Sequence, residues 1–296
     1  MIPLALITGF LGSGKTTLLG RVIERHRGRR LAYLVNEFSS LDVDGRLLAA
    51  EGESIVCLPG GSIFCRCLVT SFIRQLREIA ERHDRPDQPL EGLIVEASGI
   101  ADPRVVGRML KETRLDHLYR LTSVISIVDP GSFLVLRDTL PNIAAQIEAS
   151  HLAIVNKVDL FSEARLVEVE AAVREIHPAI EIIRSTFCSI DLDPFASRAA
   201  RPIHGEYAPC ADPHYAKVVW KAERPVDVDR LLARIREAGS DIYRAKGFVY
   251  TGDETLYIDV SAAETTARTA TEGASCTELA LIVRPGSEES VRLLLS

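Results

Sequence analysis

Residues Gly9-Phe-Leu-Gly-Ser-Gly-Lys-Thr16 follow the pattern G-x-x-x-x-G-K-[ST]. Glycines let backbone N–H groups turn inward around phosphate oxygens without a Cβ clash. Lys15 reaches the β- and γ-phosphates as a point charge, and the Thr16 hydroxyl faces Mg²⁺. Gly12, Ser13, Gly14, Lys15, Thr16 and Thr17 are the expected nucleotide contacts. A second element is Leu93-Ile-Val-Glu96-Ala-Ser-Gly99, where an acidic residue follows an apolar run. Glu96 is expected to act on Mg²⁺ with Thr16, directly or through water. Gly99 is expected to offer its N–H to the γ-phosphate and so sense hydrolysis. A third is Asn156-Lys-Val-Asp159, again after an apolar run. The Asp159 carboxylate accepts from N1–H and the exocyclic amine of guanine, a donor pair that adenine lacks. Asn156 is expected to contact the base and tether neighbouring loops. The Lys157 stem covers the ring face with its charge in water. The loop at Ser185-Thr186 is the expected further base contact. The combination points to Mg²⁺ with GTP.

These residues need strand ends to hold them. Short apolar runs recur at Leu4–Thr8, Leu31–Val35, Ile55–Leu58, Leu93–Val95, Val124–Val128, Leu152–Val155 and Ile180–Ile183. Each is nearly continuous in branched aliphatic residues, as parallel strands covered on both faces are. Helical patterns lie between them at Thr17–His26, Val69–His83, Arg104–Leu110, Ile143–Ala149 and Glu163–Ile176. This predicts an α/β class: a doubly wound, mostly parallel sheet over residues 1–190, with Glu96 and Asp159 at carboxyl ends where ligands bind. Residues 191–213 carry four prolines and little periodicity, and read as a linker. Residues 214–296 read as a smaller α+β domain. It has strands at Ala216–Lys221 and Leu279–Val283, a hairpin of Phe248–Thr251 with Thr255–Val260, and helices at Val228–Ala238 and Glu288–Leu294.

The chain has 296 residues, 47% hydrophobic and 26% charged, with a net charge of −6 from 35 basic and 41 acidic residues. That balance gives no electrostatic reason to bind nucleic acid or an anionic membrane. No apolar run approaches the roughly 20 residues that span a bilayer. The start reads as a strand rather than a signal peptide, so the cytoplasm is expected. Six cysteines are too sparse for a disulfide scaffold. Cys65 and Cys67 alone form a tight pair, which in a reducing compartment points to metal or redox chemistry.

Taken together, Ile7–Thr17, Val35-Asn-Glu-Phe38, Glu96–Pro103, Asn156–Leu160 and Tyr243-Arg-Ala-Lys-Gly247 resemble the CobW-type P-loop GTPases, relatives of the nickel-insertion GTPases of urease and hydrogenase. The resemblance implies GTP hydrolysis coupled to binding of a transition metal, zinc or cobalt, and its delivery to a metalloprotein client. It implies catalytic roles for Lys15, Glu37 and Glu96. Glu37 would bind Mg²⁺ through water, position the attacking water, or ligate the cargo metal. The family's C-x-C-C run is here Phe64-Cys65-Arg-Cys67-Leu68, with leucine in place of the third cysteine. The segment Ser39–Asp44 also departs from the family's Gly/Glu-rich run, and Asp42 and Asp44 are lesser acidic candidates there. Two thiolates do not complete a tetrahedral site. Water, Glu37 or a client residue finishes it, or two subunits share it in a nucleotide-dependent homodimer. Two other readings compete: a GTP-dependent interaction protein without its own metal, and a P-loop small-molecule kinase.

Overall fold

The computed structural model describes residues 1–37, 55–59, 62–66, 68–196, 205–208, 215–261, 265–270 and 275–295. Phe38, Asp42, Asp44, Cys67 and His214 lie outside the described residues, as does the side chain of Glu37. The chain divides into two compact units, the first ending at Cys210 and the second running over Ala211–Ser296.

Seven strands form the sheet of the first unit: β1 (Ile2–Gly9), β2 (Leu31–Glu37), β3 (Ile55–Pro59), β4 (Gly92–Glu96), β5 (Tyr119–Val128), β6 (Leu152–Val155) and β7 (Glu181–Arg184). Their order is β3-β2-β4-β1-β5-β6-β7, and every pairing is parallel. The expectation of a mostly parallel sheet thus becomes a wholly parallel one. Side chains alternate between its faces. Leu4 and Leu6 of β1, Ala32 and Leu34 of β2, and Leu93 and Val95 of β4 enter one core. Ala5 and Ile7, Tyr33 and Val35, and Ile94 enter the other. Burial on both faces explains why these strands are unbroken apolar runs rather than alternating ones.

Helices α1 (Lys15–Arg25), α2 (Val69–His83), α3 (Val106–Glu112), α4 (Phe133–Thr139), α5 (Pro141–Glu148) and α6 (Glu163–Ile176) cover these faces. In α2, Phe72, Leu76 and Ile79 recur at helical spacing and are buried together. The pattern at Arg104–Leu110 resolves into a 3-10 turn, Pro103–Val105, leading into α3; Asp102 caps that turn by accepting from Arg104 N. Helix α4 carries no readable helical period, because its apolar residues Phe133 to Leu136 are consecutive and it is only seven residues long.

The stretch expected as a linker lies, in its described parts, on the first unit. Leu192 and Phe195 pack into the second core cluster. Gly92 leaves room for the Phe195 ring, since a Cβ there would sit 2.3 Å from Cζ. Ala208 forms a parallel bridge with Cys65. Prolines mark irregular backbone here, not a tether without contacts.

The second unit is a five-stranded sheet in the order β11-β10-β9-β12-β8, all antiparallel: β8 (Ala216–Ala222), β9 (Ile242–Tyr250), β10 (Thr255–Ser261), β11 (Thr265–Thr269) and β12 (Thr277–Val283). Helices α7 (Val228–Glu237) and α8 (Glu288–Leu295) share a core with it through Leu231, Ile235, Val291 and Leu295. Gly247, φ +151°, is required at the β9–β12 contact, because a Cβ there would lie 2.1 Å from Glu278 O.

Candidate nucleotide site

The loop between β1 and α1 is built by backbone conformations that L side chains rarely adopt. Gly9, Gly12 and Gly14 have φ of +133°, +78° and +114°. At Gly9 a Cβ would lie 2.4 Å from Ile127 O, so this glycine lets the loop close against β5. Helix α1 starts at Gly14 with no side-chain cap and no acidic residue in its first turn. By contrast, α6 is capped by Ser162 with Glu163 in its first turn, and α7 by Asp227 with Asp229. An N-terminus left this way suits an anion, since its N–H groups and dipole both favour negative charge. Lys15 is buried, and its Nζ donates to Phe10 O at 3.0 Å, which folds the ammonium back over the loop. Thr17, next along α1, is exposed.

Glu96 ends β4, where strand register sets it beside Ile7 of β1 and Val35 of β2. Its buried carboxylate accepts a hydrogen bond from Thr16 Oγ1 at 3.0 Å. A hydroxyl and a carboxylate converging next to a phosphate cradle are hard oxygen donors of the kind Mg²⁺ takes. Gly99, three residues on, abuts the cradle: a Cβ there would lie 2.6 Å from Leu11 N. The segment around Gly99 is held from outside by α5. Gln146 Nε2 donates to Gly99 O at 3.0 Å and Ala101 O at 3.2 Å, and Asn142 Nδ2 donates to Ile100 O.

Asn156 follows β6 and is buried. Its Nδ2 donates to Ser13 O at 2.9 Å, and its Oδ1 accepts from Cys188 N at 3.0 Å. One amide therefore ties the phosphate loop to the loop after β7. Lys157 differs from expectation. Its φ is +60°, and its ammonium pairs with the buried Asp129 carboxylate at 3.1 Å. Asp129 also accepts from Gly131 N at 2.8 Å. Asp159 lies exposed in the turn that follows Lys157. Ser185 O accepts from Val158 N at 3.2 Å, which sets the loop after β7 against this turn. Thr186 follows, half-buried.

Two residues beside the cradle and base loop were not anticipated. Asp129 follows the β5 run as Glu96 follows β4, so the same strand-end rule finds it. Cys188 looked isolated in sequence. Its buried Sγ lies 3.5 Å from Gly14 O, and burial pushes its thiol up to about 12, so it packs against the cradle as a neutral group. Nothing in its sequence neighbourhood signals this contact. Asn36, in β2 and inside the Val-Asn-Glu-Phe motif, has hydrogen bonds to Leu58, Ile63 and Ser98.

The expected metal ligands are only partly visible. Cys65 is a free, buried thiol in a tight turn. Cys65 N donates to Ser62 O at 3.0 Å, and Cys65 O accepts from Leu68 N and Val69 N as α2 begins. Glu37 ends β2 on the same edge of the sheet, two residues beyond the partner of Glu96. Among the described residues no three His, Cys, Asp or Glu side chains gather as a metal site.

A glycine-rich phosphate loop between the first strand and first helix of a doubly wound parallel sheet defines a P-loop nucleotide-binding protein. Residues 3–184 match the CobW/HypB/UreG nucleotide-binding domain and residues 215–296 the cobalamin synthesis protein cobW C-terminal domain, and the chain belongs to this family. It is 24% identical over 303 residues to zinc-regulated GTPase metalloprotein activator 1 of Dictyostelium discoideum, a match covering 83% of this chain and 62% of that one. It is 27% identical over 216 residues to zinc chaperone CobW of Pseudomonas aeruginosa, covering 62% and 56%. The chain thus spans less than two thirds of the length of these relatives. Among solved structures, Zn(II)-bound YjiA GTPase from E. coli aligns over 99% of this chain and 97% of its own, at 19% identity and a TM-score of 0.49. Among the described residues no helix is long and apolar enough to cross a membrane.

Proposed function

We propose that this protein binds and hydrolyses GTP with Mg²⁺, and that its nucleotide state governs the binding of zinc destined for a metalloprotein client. The observation that carries the nucleotide half is the Thr16–Glu96 hydrogen bond, which sets two hard oxygen donors beside a cradle of glycine backbone and Lys15. Mg²⁺, when bound there, neutralises charge on the β- and γ-phosphates. The chain's own residues do the rest. Backbone N–H groups from Gly12 to Thr17 hold the phosphates, and Lys15 stabilises charge as the β–γ bridging bond breaks. Gly99 registers loss of the γ-phosphate. Asp159 selects guanine, and Lys157, paired with Asp129, braces the base loop. A water oxygen attacks the γ-phosphorus, GDP leaves, and the water's proton ends on inorganic phosphate. Glu37 is the residue we assign to position that water or to ligate the cargo.

Cys65 and Cys67 are the thiolates we assign to the cargo. Zinc is favoured over cobalt by the names of the relatives. With two cysteines only, a client residue, Glu37 or a second copy of the chain completes the tetrahedron. We place the protein in the cytoplasm. The leucine at position 68 supports a second reading, a GTP-dependent interaction protein with no metal of its own.

GTP hydrolysis measured with and without Zn²⁺, in wild type and Cys65→Ser, separates the two. The proposal expects zinc to change turnover in wild type and not in the variant. A zinc response that survives Cys65→Ser and Cys67→Ser together contradicts the cysteine site.

A further inference from the structure

Asn36 stands where β2 meets the two loops that the proposed function must connect. The residue is 3% exposed. Its Oδ1 accepts from Ser98 N at 3.2 Å and from Ile63 N at 3.0 Å, and its Nδ2 donates to Leu58 O at 3.1 Å. Ser98 immediately precedes Gly99, which abuts the phosphate loop; Ile63 lies two residues before Cys65. A carbonyl oxygen has two lone pairs, and here one serves each loop.

The cysteine side of this junction is stiff. Ile63 and Phe64 are fully buried, and Phe64 N donates to Ser62 Oγ at 3.2 Å. The Phe64 ring packs edge-on against Phe72 of α2, with centroids 5.9 Å apart at 85°. Phe64 O accepts from Ala208 N at 3.1 Å, and Arg66 N donates to Ala208 O at 3.0 Å. A close-packed turn of this kind moves as a unit or not at all. The nucleotide side is tied as well, through Ala97 N donating to Ile7 O at 2.9 Å and Gln146 holding Gly99 O. Between two such loops, a shared acceptor transmits displacement. If the Gly99 N–H draws towards a γ-phosphate, Ser98 N moves with it, and the Asn36 amide and Ile63 N must follow or one bond breaks.

We infer that Asn36 is a positioning residue that couples the nucleotide-sensing segment Glu96–Gly99 to the cysteine turn Ile63–Cys65. The inference rests on the proposed function, since it supposes that nucleotide and zinc share one equilibrium. Energetic coupling between two sites is reciprocal, so it is read as a ratio of affinities.

The test is zinc affinity with a non-hydrolysable GTP analogue and with GDP, in wild type and Asn36→Ala, with GDP affinity as a control. Wild type is expected to bind zinc at least about tenfold more tightly with the analogue, within the usual range of such couplings. In Asn36→Ala that ratio falls to within about twofold of unity, while GDP affinity stays within about threefold. A ratio of unity in wild type overturns the proposed function and this inference with it. A ratio that survives in the variant overturns the inference alone. Amide exchange in the unaltered protein gives an independent reading. Ser98 and Ile63 should change protection together between the two nucleotides; a change at Ser98 with none at Ile63 overturns the coupling.

Discussion

The two sheets place their buried polar groups differently. In the first unit, buried Thr122, Ser123 and Ser126 lie within β5, while Asn36, Glu96, Ser98, Asp129, Asn156 and Ser185 gather at or just beyond the carboxyl ends of strands, and Ser13 and Lys15 in the loop and helix after β1. In the antiparallel sheet, buried Lys246, Thr255 and Thr277 lie within strands and the Arg244–Asp259 pair joins β9 to β10. Arg244 donates Nε to Oδ1 at 2.9 Å and Nη2 to Oδ2 at 2.6 Å, a two-pronged pairing. At the strand ends of the first unit, polar groups tie neighbouring loops to one another. Polar groups matched across strands hold the sheet. The first unit matches a nucleotide-binding domain, and in the second the Arg244–Asp259 pair joins two strands.

The sharpest way to break this contrast is at the cradle. Gly9→Ala forces a Cβ onto the Ile127 carbonyl at a φ that alanine resists, so it should destabilise the fold by roughly 3 kcal/mol or more and abolish nucleotide binding. Denaturant unfolding with and without GDP measures both. A variant with normal stability and affinity would show that the loop is not built as described.

Asn156→Ala is next. It leaves Cys188 N and Ser13 O without their side-chain partner at a buried junction, a cost of about 2–3 kcal/mol. The loss should fall on nucleotide affinity as well as melting temperature, because the amide joins phosphate loop and base loop.

Asp259→Asn is expected to behave oppositely, lowering stability by about 2 kcal/mol at neutral pH while leaving GTP affinity unchanged. Burial alone would raise the Asp259 pKa; the Arg244 guanidinium outweighs it and holds the carboxyl below its usual value. A carboxyl depressed in the folded state stabilises above its unfolded pKa, about 4. That contribution disappears as pH falls through the lower folded value. Melting curves from pH 6 down to pH 3 should show the gap between wild type and variant narrowing only at the acid end. The smallest effect belongs to Cys65→Ser, which should leave GTP affinity within about twofold, since no described contact joins Cys65 to the cradle.

Much of this was legible in sequence, for a physical reason. Parallel strands buried on both faces must be apolar throughout, so the central runs announced themselves, while the exposed edge strand β7 was legible only through Ile182 and Ile183; Glu96 and Asn156 stood out by ending such runs. Strand β11 did not: Thr265–Thr269 is an exposed edge strand with no apolar alternation to read. The Lys157–Asp129 pair joins residues 28 positions apart and emerges only when β5 and β6 lie side by side. The shared oxygen of Asn36 likewise depends on three segments meeting in space. Local pattern reveals which residues stand at strand ends; it does not reveal which of them touch.

Titration calorimetry of the full chain with GTP, GDP and ATP, in the presence of Mg²⁺, addresses the central claim most directly. Magnesium-dependent uptake of GTP and GDP is expected, with ATP at least about tenfold weaker and binding lost in Lys15→Ala. Equal affinity for ATP, or undiminished binding in Lys15→Ala, would contradict a guanine-selective cradle at Gly9–Thr16.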